Sequence, residues 1–392
     1  LDLNHSEKFW RIILMPWLLT FVQITWLKQK LINNFIKAHN NDEIFVEMLD
    51  NSVKWDFMDH LDFMKNGVEN IEFNHWLFSR LIENNIPENW KISYRKCTYK
   101  KYYDTGKLLN PTLKARIADK LEVLFPLIGI NGINVFEAIL FKIVNKIKIQ
   151  KIKKEEQTKK ISYNKSNNDI EWNLDWDSTV KNIFPRAFLS ITRKYKSPYK
   201  YKKLVFSTAS ISYYDFKKRL KLALSVERGA QSIGIQHGGA YGTFAVHSLV
   251  TAVEYENSHR FFSWGWEKTS YQKEKIIPLP SPSLSKLRYC CKTEEIIFVN
   301  GISSILPLRI NSLKQPNQVI NERNDNSAFI KGLDNKLLSN LFYRPSFSLK
   351  SGGQISLLDE EFIKSNFPKV RIIKGDLHAR TMKSKLLILN QP

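Results

Sequence analysis

Strand, helix and strand follow one another between Lys202 and Gln236, and this order limits the fold more than any other feature of the chain. Leu204-Val205-Phe206-Ser207-Thr208 is a short apolar run closed by hydroxyl residues. Tyr214–Arg228 then repeats apolar residues at helical spacing (Phe216, Leu220, Leu222, Ala223, Val226), and Gly229 stands where a helix C-cap belongs. Ile233-Gly234-Ile235 is strand again. A crossover this short joins parallel strands, and such units are right-handed almost without exception. The expected class is α/β, with ligands at the carboxyl ends of the strands.

The rest of the chain extends that reading. Residues 5–33 predict a helix, with Ser6 ahead of Phe9, Ile12, Ile13, Trp17, Thr20, Phe21, Ile24 and Leu27. Pro16 is expected to kink or split it. Its aromatics Trp10, Trp17, Phe21 and Trp26 read as core. Residues 53–145 look predominantly helical and carry no catalytic signature. Lys142–Lys160 reads as a solvated helix end and loop. Leu121–Val144 is the most apolar long stretch, but its charges, glycines and proline fail the test for a membrane span.

Ile277–Ser283, with Pro278, Pro280 and Pro282, reads as a linker that breaks any regular element. Strand-like runs resume at Glu295–Gly301, Leu341–Pro345, Val370–Ile373 and Ser384–Leu389, with helices within 305–340 and near 358–366. Two domains are therefore expected: residues 1–280, an α/β unit with a helical part, and residues 290–392, a second α/β unit. Leu1 is not a start methionine, and only Asn390-Gln391-Pro392 follows the last strand. The chain reads as a fragment lacking both ends, its second domain truncated.

Composition narrows the chemistry. The 392 residues are 43% hydrophobic and 25% charged, a globular balance in a chain too long for one core. Cys97, Cys290 and Cys291 form no C-x-x-C and cannot build a disulfide framework, which excludes a cysteine zinc site and points to a reducing compartment. Sixty Lys and Arg against 38 Asp and Glu leave +22. That charge suits an anionic partner, whether nucleic acid, a phosphate-bearing ligand or an acidic membrane surface. The competing account is the compositional habit of a source rich in Lys, Asn and Ile.

Gln236-His237-Gly238-Gly239-Ala240-Tyr241-Gly242 is the sharpest local signal, because it leaves the carboxyl end of a strand. Adjacent glycines let a ligand approach the backbone and expose N–H groups to an anion. His237 supplies a proton-transfer group, Gln236 an orienting amide, and Tyr241 a ring or a hydroxyl. The bland alternative is a tight turn with a hydrogen-bonded histidine. The loop is neither a P-loop nor G-x-G-x-x-G. Glu254 is one carboxylate in an apolar stretch, either a base or nucleophile or a solvated loop residue. Arg344 ends a strand and suits a phosphate, although a surface Arg fits equally. His237 and His247 lack metal-ligand spacing, so neither a metal nor a cofactor is expected.

Three segments together resemble a known family: Glu7-Lys8-Phe9-Trp10-Arg11-Ile12-Ile13-Leu14-Met15-Pro16-Trp17-Leu18, the G-x-Q-H-G-G-x-Y-G run Gly234–Gly242, and Phe262-Ser263-Trp264-Gly265-Trp266. The chain is similar to transferases encoded in bacterial O-antigen and other surface-polysaccharide clusters, which are related to the GT-B glycosyltransferases. The first segment departs from the family pattern, with Met15 where glycine is usual. The resemblance implies two Rossmann-like domains facing a cleft and a metal-independent glycosyltransferase. It would move a sugar from a nucleotide-sugar donor to a polysaccharide or lipid-linked acceptor, in the cytoplasm and peripheral to the inner membrane. By the same resemblance His237 and Glu254 are catalytic, and Gln236, Gly238, Gly239, Tyr241 and Arg344 bind the donor. Contact with an anionic membrane surface is expected and specific nucleic-acid binding is not. The alternatives are a basic nucleic-acid-binding protein or an inactive partial gene product.

Overall fold

Every strand pairing among the described residues is parallel. A computed structural model describes residues 5–101, 133–140, 172–191, 204–207, 213–238, 241–243, 250–267, 275–282, 285, 296–299, 306, 316–344, 359–373 and 386–389. Gly239, His247, Pro345, the Lys142–Lys160 run and the Asn390–Pro392 end lie outside these residues.

Helix α1 spans Glu7–Ala38, capped by Ser6, whose hydroxyl accepts from the Phe9 N–H at 3.2 Å. It runs through Pro16 without splitting. The proline removes one backbone donor and costs about 3 kcal/mol. Phe9, Ile12, Ile13, Trp17, Phe21 and Ile24 are all buried from the same helix, and each such side chain returns roughly 1.5–3 kcal/mol. Burial outweighs the break. Trp17 meets Phe63, Phe184 and Phe188, so Trp17 and Phe21 are core as their spacing implies, whereas Trp10 and Trp26 are half-buried.

Residues 53–145 are not simply helical. Strand β1 (Ile44–Leu49), helix α2 (Ile71–Glu83) and strand β2 (Trp90–Arg95) form a parallel βαβ unit. The strand in Trp90-Lys91-Ile92-Ser93-Tyr94-Arg95 was hidden because only Trp90 is fully buried, so its alternation is faint. Arg80 of α2 donates to the Leu49 carbonyl at 2.6 Å and fixes α2 on β1. Helix α3 (Trp176–Ile183) completes this helical core.

A second sheet takes its strands in chain order: β3 (Leu204–Ser207), β4 (Gln231–Ile235), β5 (Arg260–Trp264) and β6 (Ile276–Leu279). Helix α4 (Phe216–Glu227) makes the β3–β4 crossover, capped by Asp215 and ended by Gly229 at φ +88°. The linker reading of Ile277–Ser283 is corrected in part, since Pro278 sits inside β6. That strand is the edge of its sheet, where a missing N–H breaks no ladder.

The third sheet contains β7 (Ile296–Val299), β8 (Leu341–Arg344), β9 (Arg371–Ile372) and β10 (Leu386–Leu389), in the order β10-β7-β8-β9. Helices α5 (Pro316–Lys331), α6 (Asn335–Ser339) and α7 (Asp359–Asn366) connect them. Counted within this sheet, the order is third, second, first, fourth, as in doubly wound nucleotide-binding sheets. The order in which strands are added therefore reverses between β7 and β10, although both run parallel. Ile296, Phe298, Leu341 and Tyr343 bury against Ile330, Ile363 and Phe367 in a core of their own. The changeover between the second and third sheets falls between Leu279 and Ile296.

Candidate functional site

The carboxyl ends of β4 and β5 lie side by side, and the residues that leave them are tied together. Gly234 makes the approach possible, since a Cβ there would sit 2.5 Å from the Phe261 ring and 2.6 Å from Ser258 Oγ. Directly after β4, the buried Gln236 carboxamide acts as a brace. Its oxygen accepts from the Trp264 N–H at 2.7 Å and the Trp266 indole at 2.8 Å, and its nitrogen donates to the Gly238 carbonyl at 2.8 Å. Gly242, at φ +73°, packs where a Cβ would meet the Trp266 ring at 2.6 Å. The two separate sequence motifs are thus one physical unit.

Glu254 lies on a π-helical turn, Thr251–Tyr255, and its side chain is 3% exposed. The solvated-loop reading of this residue is therefore corrected. The turn is held from within: Asn257 Nδ2 donates to the Val253 carbonyl at 2.9 Å and Ser258 Oγ to the Glu254 carbonyl at 2.7 Å. Met15 and Leu19 of α1 pack with Tyr213 and Val253, so the unusual Met15 lies against the segment that carries Glu254. Arg11 reaches Glu256 at 3.7 Å from the same helix.

Three functional groups converge. Tyr241 Oη donates to Glu254 Oε1 at 2.7 Å and is in close hydrogen-bond contact with His237 Nε2. Nε2 itself lies 3.5 Å from Glu254 Oε1. The phenol has one proton, and it goes to the carboxylate. The network therefore assigns a proton to His237 Nε2, which donates to Oη. In the neutral ring this leaves the lone pair on Nδ1. Burial, then the charge of Glu254, pushes the Tyr241 phenol far above its ordinary value, so it remains a neutral bridge. Tyr255 is raised for the same two reasons. His237 is 40% exposed at the open end of this chain of bonds.

The remaining expected residues fall in different places. The Tyr241 ring is buried and stacked on Phe261 at 5.8 Å. Among the described residues, nothing lies within 4 Å of a Cβ placed at Gly238. Arg344 is half-buried at the carboxyl end of β8, beside Val299 of β7. Among the described residues, no three His, Cys, Asp or Glu gather in a way that could hold a metal ion. Sequence reasoning missed Trp266 and Ser258 as supports; the aromatic after Gly265 was the available signal.

Comparison with known proteins adds one finding. A family model described as LIC12162 family transferase matches residues 2–392. No curated protein and no solved structure matches the chain.

Proposed function

The chain belongs to the LIC12162 family of transferases, and from that premise we propose that it transfers a sugar from a nucleotide-sugar donor to a hydroxyl of a surface-polysaccharide or lipid-linked acceptor. The observation that carries this reading is the Glu254–Tyr241–His237 relay at the carboxyl edge of a parallel sheet. A buried carboxylate, bridged by a buried phenol to an exposed imidazole, is suited to fixing that ring in one tautomer and orientation for proton transfer. In the proposed reaction His237 Nδ1 takes the proton of the acceptor hydroxyl as its oxygen bonds to the anomeric carbon. The bond from that carbon to the donor phosphate breaks, and the nucleotide leaves with the electron pair. Glu254, too buried to meet substrate, steadies the imidazolium through Tyr241. Gln236 is a positioning residue, because its amide is committed to Trp264, Trp266 and Gly238.

The donor's phosphates are assigned to the backbone at Gly238, with Gly239 beside it in sequence, and to Arg344. The strand order of the third sheet supports this, since its reversal between β7 and β10 is where such sheets take nucleotides. The proposal includes a two-domain GT-B arrangement divided near residues 280–290, metal-independent transfer, and a cytoplasmic site peripheral to an anionic membrane. Replacement of His237 by Ala, assayed against a panel of nucleotide sugars, should lower turnover by about 10²–10⁴-fold with little change in melting temperature. Full transfer activity in that variant would remove the reading.

A further inference from the structure

We propose that the opposite, amino-terminal edge of the β3–β6 sheet carries a second site, formed by Lys8, Arg11, His259, Arg260 and Lys275, that takes a phosphate-class oxyanion. Three elements bring these residues together. Lys8 and Arg11 sit three residues apart in the first turns of α1. Arg260 begins β5, and Lys275 immediately precedes β6; the register Phe261 to Ile276 sets them at the same level of adjacent strands. His259 is fixed on Ser232 of β4: its N–H donates to the Ser232 carbonyl at 2.8 Å, its Nδ1 accepts from the Ser232 N–H at 3.0 Å, and Ser232 Oγ lies 3.2 Å from the same Nδ1. The ring must then carry its proton on Nε2, as a donor.

All five residues are half-buried, and four are permanent or near-permanent cations. Glu256 is the carboxylate set against them, 3.7 Å from Arg11. Lys8 and Lys275 form no salt bridge with a described residue. Burial, and then their mutual repulsion, lowers Lys8; burial, Arg11 and Arg260 lower Lys275 against the pull of Glu256. Burial and the charges of Lys8, Lys275 and Arg260 hold His259 down at about 4, so it stays a neutral donor at physiological pH. Like charges gathered out of water destabilise the free protein, and a bound oxyanion would relieve them. The positive end of the α1 dipole points the same way. This site is distinct from the His237 site: β5 alone separates the two edges by about 13 Å, at roughly 3.3 Å per residue.

Inorganic pyrophosphate and vesicles of neutral lipid with or without phosphatidylglycerol distinguish a free ligand from a lipid headgroup. The paired substitution Lys8→Gln/Lys275→Gln is compared with Lys331→Gln/Lys336→Gln, which removes the same charge from exposed positions elsewhere. The proposal expects pyrophosphate to raise the melting temperature, or anionic vesicles to retain the protein. Either effect should fall about tenfold or more in affinity in the first variant and persist in the second. The first variant should also melt no lower than the parent without ligand, since repulsion has been removed. Equal losses in both variants, or no response of the parent to either probe, would overturn the site. Sugar transfer need not change, so failure here leaves the His237 reading standing.

Discussion

Tyr241 has one hydroxyl proton and touches both His237 and Glu254, which makes it the most informative single residue. Tyr241→Phe keeps the ring on Phe261 but leaves Glu254 without its phenol donor. Loss of a buried hydrogen bond of this kind should lower unfolding free energy by about 1–3 kcal/mol, readable by urea titration. Turnover should fall at least about tenfold while donor KM holds, because the imidazolium loses its support. Two glycines of the same loop should behave oppositely. Gly242→Ala places a Cβ against Trp266 at a positive φ, and should reduce melting temperature sharply. Gly238→Ala meets nothing in the free protein, so its melting temperature should stay put. A weakened donor affinity in that variant, measured by calorimetry, would locate the ligand at this backbone.

Helix α1 supports both edges of the second sheet and also carries its own unbalanced charge. Lys28 is 2% exposed, with Nζ 5.1 Å from the Phe78 ring centre, and burial pulls its ammonium from 10.5 down to about 8. The unfolded chain keeps that proton up to about 10.5, whereas the folded chain releases it near 8. The folded state is therefore penalised below about pH 8, and the penalty fades as pH rises toward 10.5. Lys28→Met should be more stable than the parent at pH 7 by up to about 3 kcal/mol, and the difference should shrink by pH 10. A pH-independent difference between the two melting curves would contradict this. At its amino end α1 is clamped to α4: Glu227 accepts from the Ser6 N–H at 2.8 Å and pairs with His5 at 2.6 Å. By length and composition α1 could also cross a membrane, yet half of its most apolar window is buried against the protein.

Across the whole molecule, the proposed reaction divides between two sheets, with proton transfer on the second and donor phosphate shared between Gly238 of the second and Arg344 of the third. Arg344→Lys keeps the charge but loses the planar fork, so donor KM should rise while kcat changes little. His237→Ala should do the reverse. Because the residues share no contact in the structure, their effects on kcat/KM should multiply in the double variant. Steady-state kinetics on the four proteins checks this, and strongly non-multiplicative losses would place both residues on one reacting group.

Much of this architecture was legible in local sequence. Periodicity gave α1, α4, strands β3 to β5 and the strands of the third sheet, because a helix or strand face is written in residues three, four or two apart. Gly229 and Ser6 marked ends for equally local reasons. The Gln236–Gly242 loop announced itself by composition. What sequence left open was whether Glu254 met solvent or a partner, that Gln236 braces Trp266, and that Pro278 could sit in an edge strand. Each depends on contacts between segments far apart in the chain: Gln236 and Trp266 are 30 residues apart, and β7 pairs with β10. The carboxylate of Glu254 and the phenol of Tyr241 acquire their chemistry from burial, and burial is decided only when the sheet, the π-helical turn and α1 close over them.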